Sequence, residues 1–182
     1  LSLKWMGAQA TTGFEAMLAL ERSQSIEDVL SALEQWPFPL LNFVFADGQG
    51  RVGYHAAGQV PGRGKTFRGF RDGQREDHGW DGVIPFDEMP QLVEPERDWV
   101  ASANNPPWGG SGPYLSLGSW SDGYRFRRIR TQIDLEPKHS LETIGAIQAD
   151  VVLGRAEDLA QTVADLAAKA SRKEIRAWSE IL

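Results

Sequence analysis

The sequence predicts an α+β fold. Antiparallel strands and flanking helices occupy residues 1–135, and residues 136–182 form a helical segment. Three observations carry this reading. Two apolar runs, Leu41–Ala46 and residues 51–58, are joined by Asp47-Gly48-Gln49-Gly50, the pattern of a hairpin. Two amphipathic stretches with helix-start signals precede that hairpin. From Ser140 onward, Leu141, Ile144, Ile147 and Val151 keep helical spacing, and residues 156–170 are rich in Ala and Leu.

At 182 residues the chain fits one domain, long enough to bury ~70% of its unfolded surface. A net charge of −6 and a pI near 5.1 argue against a nucleic-acid or anionic-membrane partner. The absence of cysteine excludes disulfides, thiolate catalysis and cysteine metal sites. No apolar run approaches the ~20 residues that span a bilayer, and no signal peptide is visible. The chain opens Leu1-Ser2-Leu3, in what reads as the middle of an element. The expectation is a processed or trimmed chain with sequence upstream.

Residues 1–6 alternate Leu, Lys and Trp, as the end of a strand would. Thr12-Gly13-Phe14-Glu15 has capping-box spacing and predicts a helix with Phe14, Met17, Leu18 and Leu20 inward. A second helix starts at Ser25, with Asp28 at its third position and Val29, Leu30 and Leu33 on one face. Both acidic residues, Glu15 and Asp28, favour a helix N-terminus. Trp36-Pro37-Phe38-Pro39 stops it, since neither proline continues a helix.

In the hairpin, Leu41–Ala46 is apolar almost throughout, as in a strand covered on both faces, which implies helical layers above and below. Asp47 suits the turn by accepting from its own backbone. His55 reads either as a base or as a satisfied core or edge residue. Residues 60–81 are polar and Gly-rich. Gly62-Arg63-Gly64-Lys65-Thr66 resembles the tail of a phosphate loop, but Gln59 stands where that motif needs Gly, and no helix start follows. The stretch reads as a solvated excursion. His78 lacks metal-ligand spacing, and His139 is isolated.

Residues 99–103, Trp-Val-Ala-Ser-Ala, read as a buried strand leading into Asn104-Asn105 and a Pro-Pro-Trp-Gly-Gly turn. Burying an amide is costly unless its donors and acceptors are met. The pair is therefore either turn-forming or a set of placed donors. Near the C-terminus, Ser171-Arg172-Lys173-Glu174 has capping-box spacing ahead of Ile175 and Trp178.

Several of these residues together resemble one family. They are Phe45-Ala46-Asp47 with Gly50, Val52, Gly53, Tyr54, Gly58, Pro61 and Arg63; then Trp80, Gly82, Ile84, Pro85, Phe86 and Pro95; then Ala103-Asn104-Asn105; Tyr124-Arg125 with Arg128-Ile129; and Ile147-Gln148 with Asp150. Five motifs in register over residues 40–150 resemble the penicillin acylases, or penicillin amidases, of the N-terminal-nucleophile (Ntn) hydrolases. Residues 1–36 also resemble the helical segment that precedes that hairpin.

The resemblance implies part of an Ntn-hydrolase α/β/β/α sandwich with antiparallel strands. It implies cleavage of linear amides such as β-lactam antibiotic side chains or acyl-homoserine lactones. The implied nucleophile is a Ser at a new N-terminus whose α-amino group, with a pKa of ~8, acts as base. Position in the motif makes Asn104 resemble the side-chain donor of the oxyanion hole, and Arg125 the Arg of the active-site network. Arg125 is otherwise an ordinary ion pair.

Leu1 is not that nucleophile and Ser2 is not terminal, so the expectation is an internal piece of a β subunit that carries no nucleophile and is inactive alone. No cofactor is expected; calcium occurs in the family, but an acidic ligand is not evident at residues 114–120. The implied partners are the rest of the acylase (the α subunit and the remaining β-subunit strands) and an N-acyl small molecule. Self-association through exposed sheet edges is a further expectation; nucleic acid and membrane are not expected. The setting implied is periplasmic or extracellular.

Two other classes stand beside this one: a non-catalytic binding module on an acylase-derived scaffold, and a hydrolase using Ser102, Ser111 or Ser121. The last lacks a Gly-x-Ser-x-Gly elbow.

Overall fold

Helices begin where a hydroxyl side chain can take up an unpaired backbone N–H, and the computed structural model of the chain shows which of the sequence signals do so. It describes residues 1–8, 11–63, 70–107 and 119–177. These fall into two units, one within residues 1–102 and 106–119, the other within residues 103–105 and 120–182.

In the first unit, a 3-10 turn at Met6–Ala8 precedes helices α1 (Gly13–Arg22) and α2 (Ile26–Glu34). Residues 1–5 are not a strand; Leu1 and Leu3 stand in solvent, and the Trp5 ring meets Phe38 edge-on at 5.3 Å. The capping signal at Ser25 works locally. Ser25 Oγ accepts from the Asp28 N–H at 3.1 Å, and Asp28 Oδ2 accepts from the Gln24 N–H at 3.0 Å. The signal at Thr12 does not: its hydroxyl makes no cap and donates instead to the Gln35 carbonyl at 3.2 Å. The buried residue of α1 is Ala16, whereas Phe14, Met17 and Leu18 are exposed and Leu20 is half-buried. On α2, Leu33 is fully buried with Ile26 and Ala32, and Val29 and Leu30 are partly covered.

The hairpin forms as read. β1 (Leu41–Ala46) pairs antiparallel with β2 (Val52–Ala57), from Leu41 opposite Ala57 to Ala46 opposite Val52. Asp47 Oδ1 accepts from the Gln49 and Arg51 N–H groups at 2.9 and 3.0 Å, which closes the turn. Arg51 then ties the turn to α2: Nε meets Asp47 Oδ2 at 2.6 Å and Nη1 meets Glu27 Oε1 at 2.7 Å. The hydrogen bond from Arg51 pulls the Glu27 carboxyl from 4.5 to about 2, so this link stays charged well into acid.

β3 (Gln91–Val93) adds to the other edge of β2, giving the order β1-β2-β3. The third strand therefore begins eight residues before the stretch read as a strand. Glu94 at φ 49° takes the chain out of the extended region directly after Val93, and Pro95 follows with no N–H to pair. Residues 99–102 carry no strand pairing, though Val100 packs on the sheet.

Coverage of the hairpin is the reverse of the expectation. β1 is an edge strand whose Leu41 and Val44 are exposed, and β2 is the buried one. Tyr54 and Ala56 pack with Ile84 and Met89, flanked by Val60 and Val100. An apolar composition records that burial is favoured, not which element supplies the cover. His55, on the opposite face of β2 from Tyr54, is completely buried and stacks on Phe86 at 4.0 Å. Among the described residues neither ring nitrogen has a hydrogen-bond partner, so it is a core histidine, though not a satisfied one. Burial holds its pKa below the ordinary 6.5, with the nearby backbone of Ala56 and Phe86 only partly offsetting this.

Gly58 and Gly62 serve the backbone. A Cβ on Gly62 would lie 2.3 Å from the Asp81 carbonyl oxygen, because the two segments exchange hydrogen bonds there (Gly62 N–H to Gly82 O, Asp81 N–H to Gly62 O). Gly58 has φ +137°, and a Cβ on it would meet the Leu40 backbone at 2.7 Å. Residues 64–69 of the excursion lie outside the described residues. After them, Arg71 donates to the His78 carbonyl, His78 Nδ1 accepts from the Asp72 N–H, and Arg75 pairs with Asp77 at 2.8 Å.

The second unit holds α3 (Tyr124–Ile133), α4 (Leu141–Gln148), α5 (Gly154–Ala168) and α6 (Lys173–Arg176). α4 begins at Ser140 with a full reciprocal cap involving Thr143. His139 is not isolated: Nε2 donates to the Ile133 carbonyl at 2.9 Å and Nδ1 lies 3.2 Å from Thr143 Oγ1. Leu141, Val151, Leu159 and Leu166 keep helical or near-helical spacing but face solvent, and Val151 lies beyond the end of α4. α6 starts after Arg172, with no side-chain cap from Ser171, and Trp178 lies outside the described residues. No helix among the described residues is long and apolar enough to cross a membrane.

Two measurements check this packing. Gly58→Ala should lose about 1–3 kcal/mol in urea unfolding, since Ala is strained at that φ and has no room. His55 is neutral when folded and protonates more readily when unfolded. Stability is thus full above pH 6.5 and falls as the pH drops below it. The thermal midpoint should decline from pH 6.5 to 5, and less steeply in His55→Phe.

Candidate functional site

Asn104 and Arg125 lie in the same unit and touch. Asn104 sits in the left-handed region at φ 62°, which Asn tolerates better than most side chains. Its carbonyl accepts from the Ser121 N–H at 2.7 Å, which fixes the turn to the start of α3. Asn105 is the turn former of the pair: its Oδ1 accepts from the Ala103 N–H at 3.1 Å. The turn-forming reading of the amide pair thus holds for Asn105.

Arg125, at the second position of α3, points one nitrogen at two acceptors of this turn. Nη2 donates to the Ala103 carbonyl at 2.7 Å and to Asn104 Oδ1 at 2.9 Å. A guanidinium only donates, so it selects the oxygen of the Asn104 amide and sets the amide orientation. The Nδ2 donors are then turned away from Arg125, and among the described residues no acceptor holds them. Asn104 itself is exposed while Ala103 beneath it is 6% exposed. This is an amide with its acceptor occupied and its donors presented. The guanidinium beside it adds positive charge. An oxyanion is the ligand that such a pair suits best. Among the described residues Arg125 is thus not paired with a carboxylate.

α3 was not evident from sequence. Between Arg125 and Arg130 only Phe126 and Ile129 are apolar, too few to draw a stripe. Arg128, one turn beyond Arg125, pairs with Asp150 in the link between α4 and α5. Nε lies 3.2 and 3.1 Å from the two carboxylate oxygens, and Nη2 lies 2.5 Å from Oδ2. The signal that could have found the helix is polar: Arg125, Arg128 and Gln132 at spacings of three and four, behind an Asp122 whose Oδ1 accepts from the Tyr124 N–H at 3.3 Å.

Among the described residues no group of three His, Asp or Glu could hold a metal ion. Residues 114–118, where an acidic calcium ligand was sought, lie outside them, as does Ser111.

Comparison with known proteins bears on this arrangement. The sequence model of the penicillin amidase family matches residues 1–181. The penicillin acylase 2 proenzyme of Pseudomonas sp. (strain SE83) is 25% identical over 147 residues, which is 80% of this chain and 19% of that protein. The solved structure of a thermostable penicillin G acylase from Alcaligenes faecalis superposes with a TM-score of 0.66 at 18% identity, over 92% of this chain and 31% of that one. The chain thus spans about a fifth of its curated relative and under a third of the solved structure. The structural likeness shows the fold, a mixed helical and antiparallel-sheet part of a penicillin acylase architecture.

The left-handed backbone at Asn104 gives a direct check. Asn104→Gly should leave stability almost unchanged, and Asn104→Val should cost about 1–2 kcal/mol in denaturant unfolding.

Proposed function

The chain belongs to the penicillin amidase family, and from that premise we propose that it supplies the side-chain half of an oxyanion hole to a hydrolase of linear amides. The observation that carries this reading is the bond from Arg125 to Asn104 Oδ1, which leaves the amide N–H groups as the presented face.

In this reading the nucleophile is an N-terminal Ser carried elsewhere in the amidase, with its own α-amine, pKa ~8, as base. The Ser oxygen adds to the amide carbonyl and its proton passes to the α-amine. Asn104 Nδ2 donates to the oxygen that becomes negative. Collapse of that intermediate expels the amine, which takes the proton, and leaves an acyl-enzyme that water hydrolyses. The substrate class is an N-acyl small molecule, of which β-lactam antibiotic side chains and acyl-homoserine lactones are the candidates. The remainder of the amidase is the partner that completes the site.

The test is Asn104→Asp in the full-length protein that carries this chain. Asp keeps the acceptor for Arg125 and the shape, but replaces the donor with a charged oxygen. Turnover of an N-acyl substrate should fall ~10²–10³-fold, with thermal stability unchanged. Wild-type turnover in the variant would overturn the assignment.

A further inference from the structure

Something must hold α3 in the rotation that aims Arg125 at Asn104. Apolar packing does so only in part: Tyr124, Phe126, Ile129 and Ile133 are half-buried, and none of the ten residues of α3 is fully buried. The polar ties among the described residues differ greatly in exposure. Asp122 meets Arg155 at 3.1 Å, but the two side chains are 43% and 70% exposed. Arg130 pairs with Asp134 at 3.3 Å within the helix and its cap, which fixes nothing outside it. Arg128 and Asp150 are 32% and 17% exposed, and their contact is the shortest of the three. Exposed pairs of the first kind contribute little, whereas a forked, half-covered one holds geometry.

The partners of this pair are themselves fixed. Asp150 Oδ1 also accepts from the Val152 N–H at 3.0 Å, and the Asp150 N–H donates to the Ile147 carbonyl. The carboxylate is therefore locked to the link between α4 and α5. On the other side, the Gln132 amide, oriented oxygen-first, accepts from both terminal nitrogens of Arg128 at 3.1 and 3.2 Å. The hydrogen bond from Arg128 holds the Asp150 carboxyl below its ordinary range, so the pair is ionised at neutral pH. Arg125 and Arg128 stand three residues apart, neighbours on one face of the helix.

We propose that Arg128 and Asp150 are the positioning pair of this site, fixing the rotation of α3 and thereby holding Arg125 on Asn104. Its catalytic consequence rests on the reading of Asn104 as oxyanion donor; its geometric consequence does not. Loss of the pair lets α3 turn or slide, Arg125 Nη2 leaves Oδ1, and the Asn104 amide is free to rotate its oxygen toward the developing charge.

The experiment is Asp150→Asn in the full-length protein, with two readouts. A crystal structure should show Arg125 Nη2 beyond hydrogen-bond distance of Asn104 Oδ1. Turnover should fall about 10- to 100-fold, the scale of a misplaced catalytic group, with KM within twofold. Asp150→Glu should restore most of both. Glu27→Gln, which breaks an exposed pair in the other unit, should leave turnover unchanged. Arg128→Lys keeps the charge but not the fork and gives the same two readouts if Asp150→Asn does not fold. An intact Arg125–Asn104 contact in these variants overturns the inference, whatever the turnover. So does failure of both to fold, which would make the pair a determinant of folding. A lost contact with unchanged turnover upholds the positioning role and removes the oxyanion reading. A wild-type protein that hydrolyses no amide removes that reading too, and the crystallographic contact alone then decides the inference.

Discussion

The proposed site depends on one guanidinium nitrogen. Arg125 Nη2 reaches the Ala103 carbonyl and Asn104 Oδ1 together, at 2.7 and 2.9 Å. An amide side chain by itself is symmetrical enough to present either end. A donor-only neighbour removes that ambiguity without adding an acceptor that would compete for the Nδ2 hydrogens. The left-handed backbone at Asn104 and the bond from the Ser121 N–H to its carbonyl fix the turn. Preorganisation of this kind is what makes a donor worth several kcal/mol at a developing negative charge.

The rest of the second unit sets where that nitrogen lies. α3 has no fully buried residue and only half-buried apolar ones, so hydrogen bonds and charge carry much of its placement. Such placement is specific in direction but contributes little to cohesion, in contrast to the first unit. There Tyr54, Ala56, Ile84 and Met89 give β2 a packed face, and Arg51 pins the hairpin turn to α2. A helix held by a fork of hydrogen bonds has few alternative rotations that satisfy it, which is the property a catalytic donor needs.

What could be read from the sequence was what is decided locally. The Asp47–Gly50 turn and the Ser25 cap are settled within four residues, and both form as their spacing predicts. Thr12 has the same spacing as a cap, but a carbonyl 23 residues away captures its hydroxyl. The β1 run looked doubly covered because its residues favour burial, yet the covering atoms belong to tertiary structure and β1 lies at the sheet edge. Residues 99–103 read as a strand from their apolar run, yet the strand that pairs is Gln91–Val93, ended by the backbone of Glu94 and the proline after it. The two site residues were singled out through the order of the motifs, not through any periodicity. α3 itself was hidden because a helix held by arginines leaves no apolar stripe.

The central claim is that the Asn104 amide donates to the oxygen that becomes negative. The most direct measurement is a crystal structure of the full-length protein with a tetrahedral boronate bound at the reacting centre. Asn104 Nδ2 should lie ~2.7–3.1 Å from a boronate oxygen, with Oδ1 still on Arg125. A boronate whose oxygens are all held by other groups, with Asn104 turned away, would contradict it.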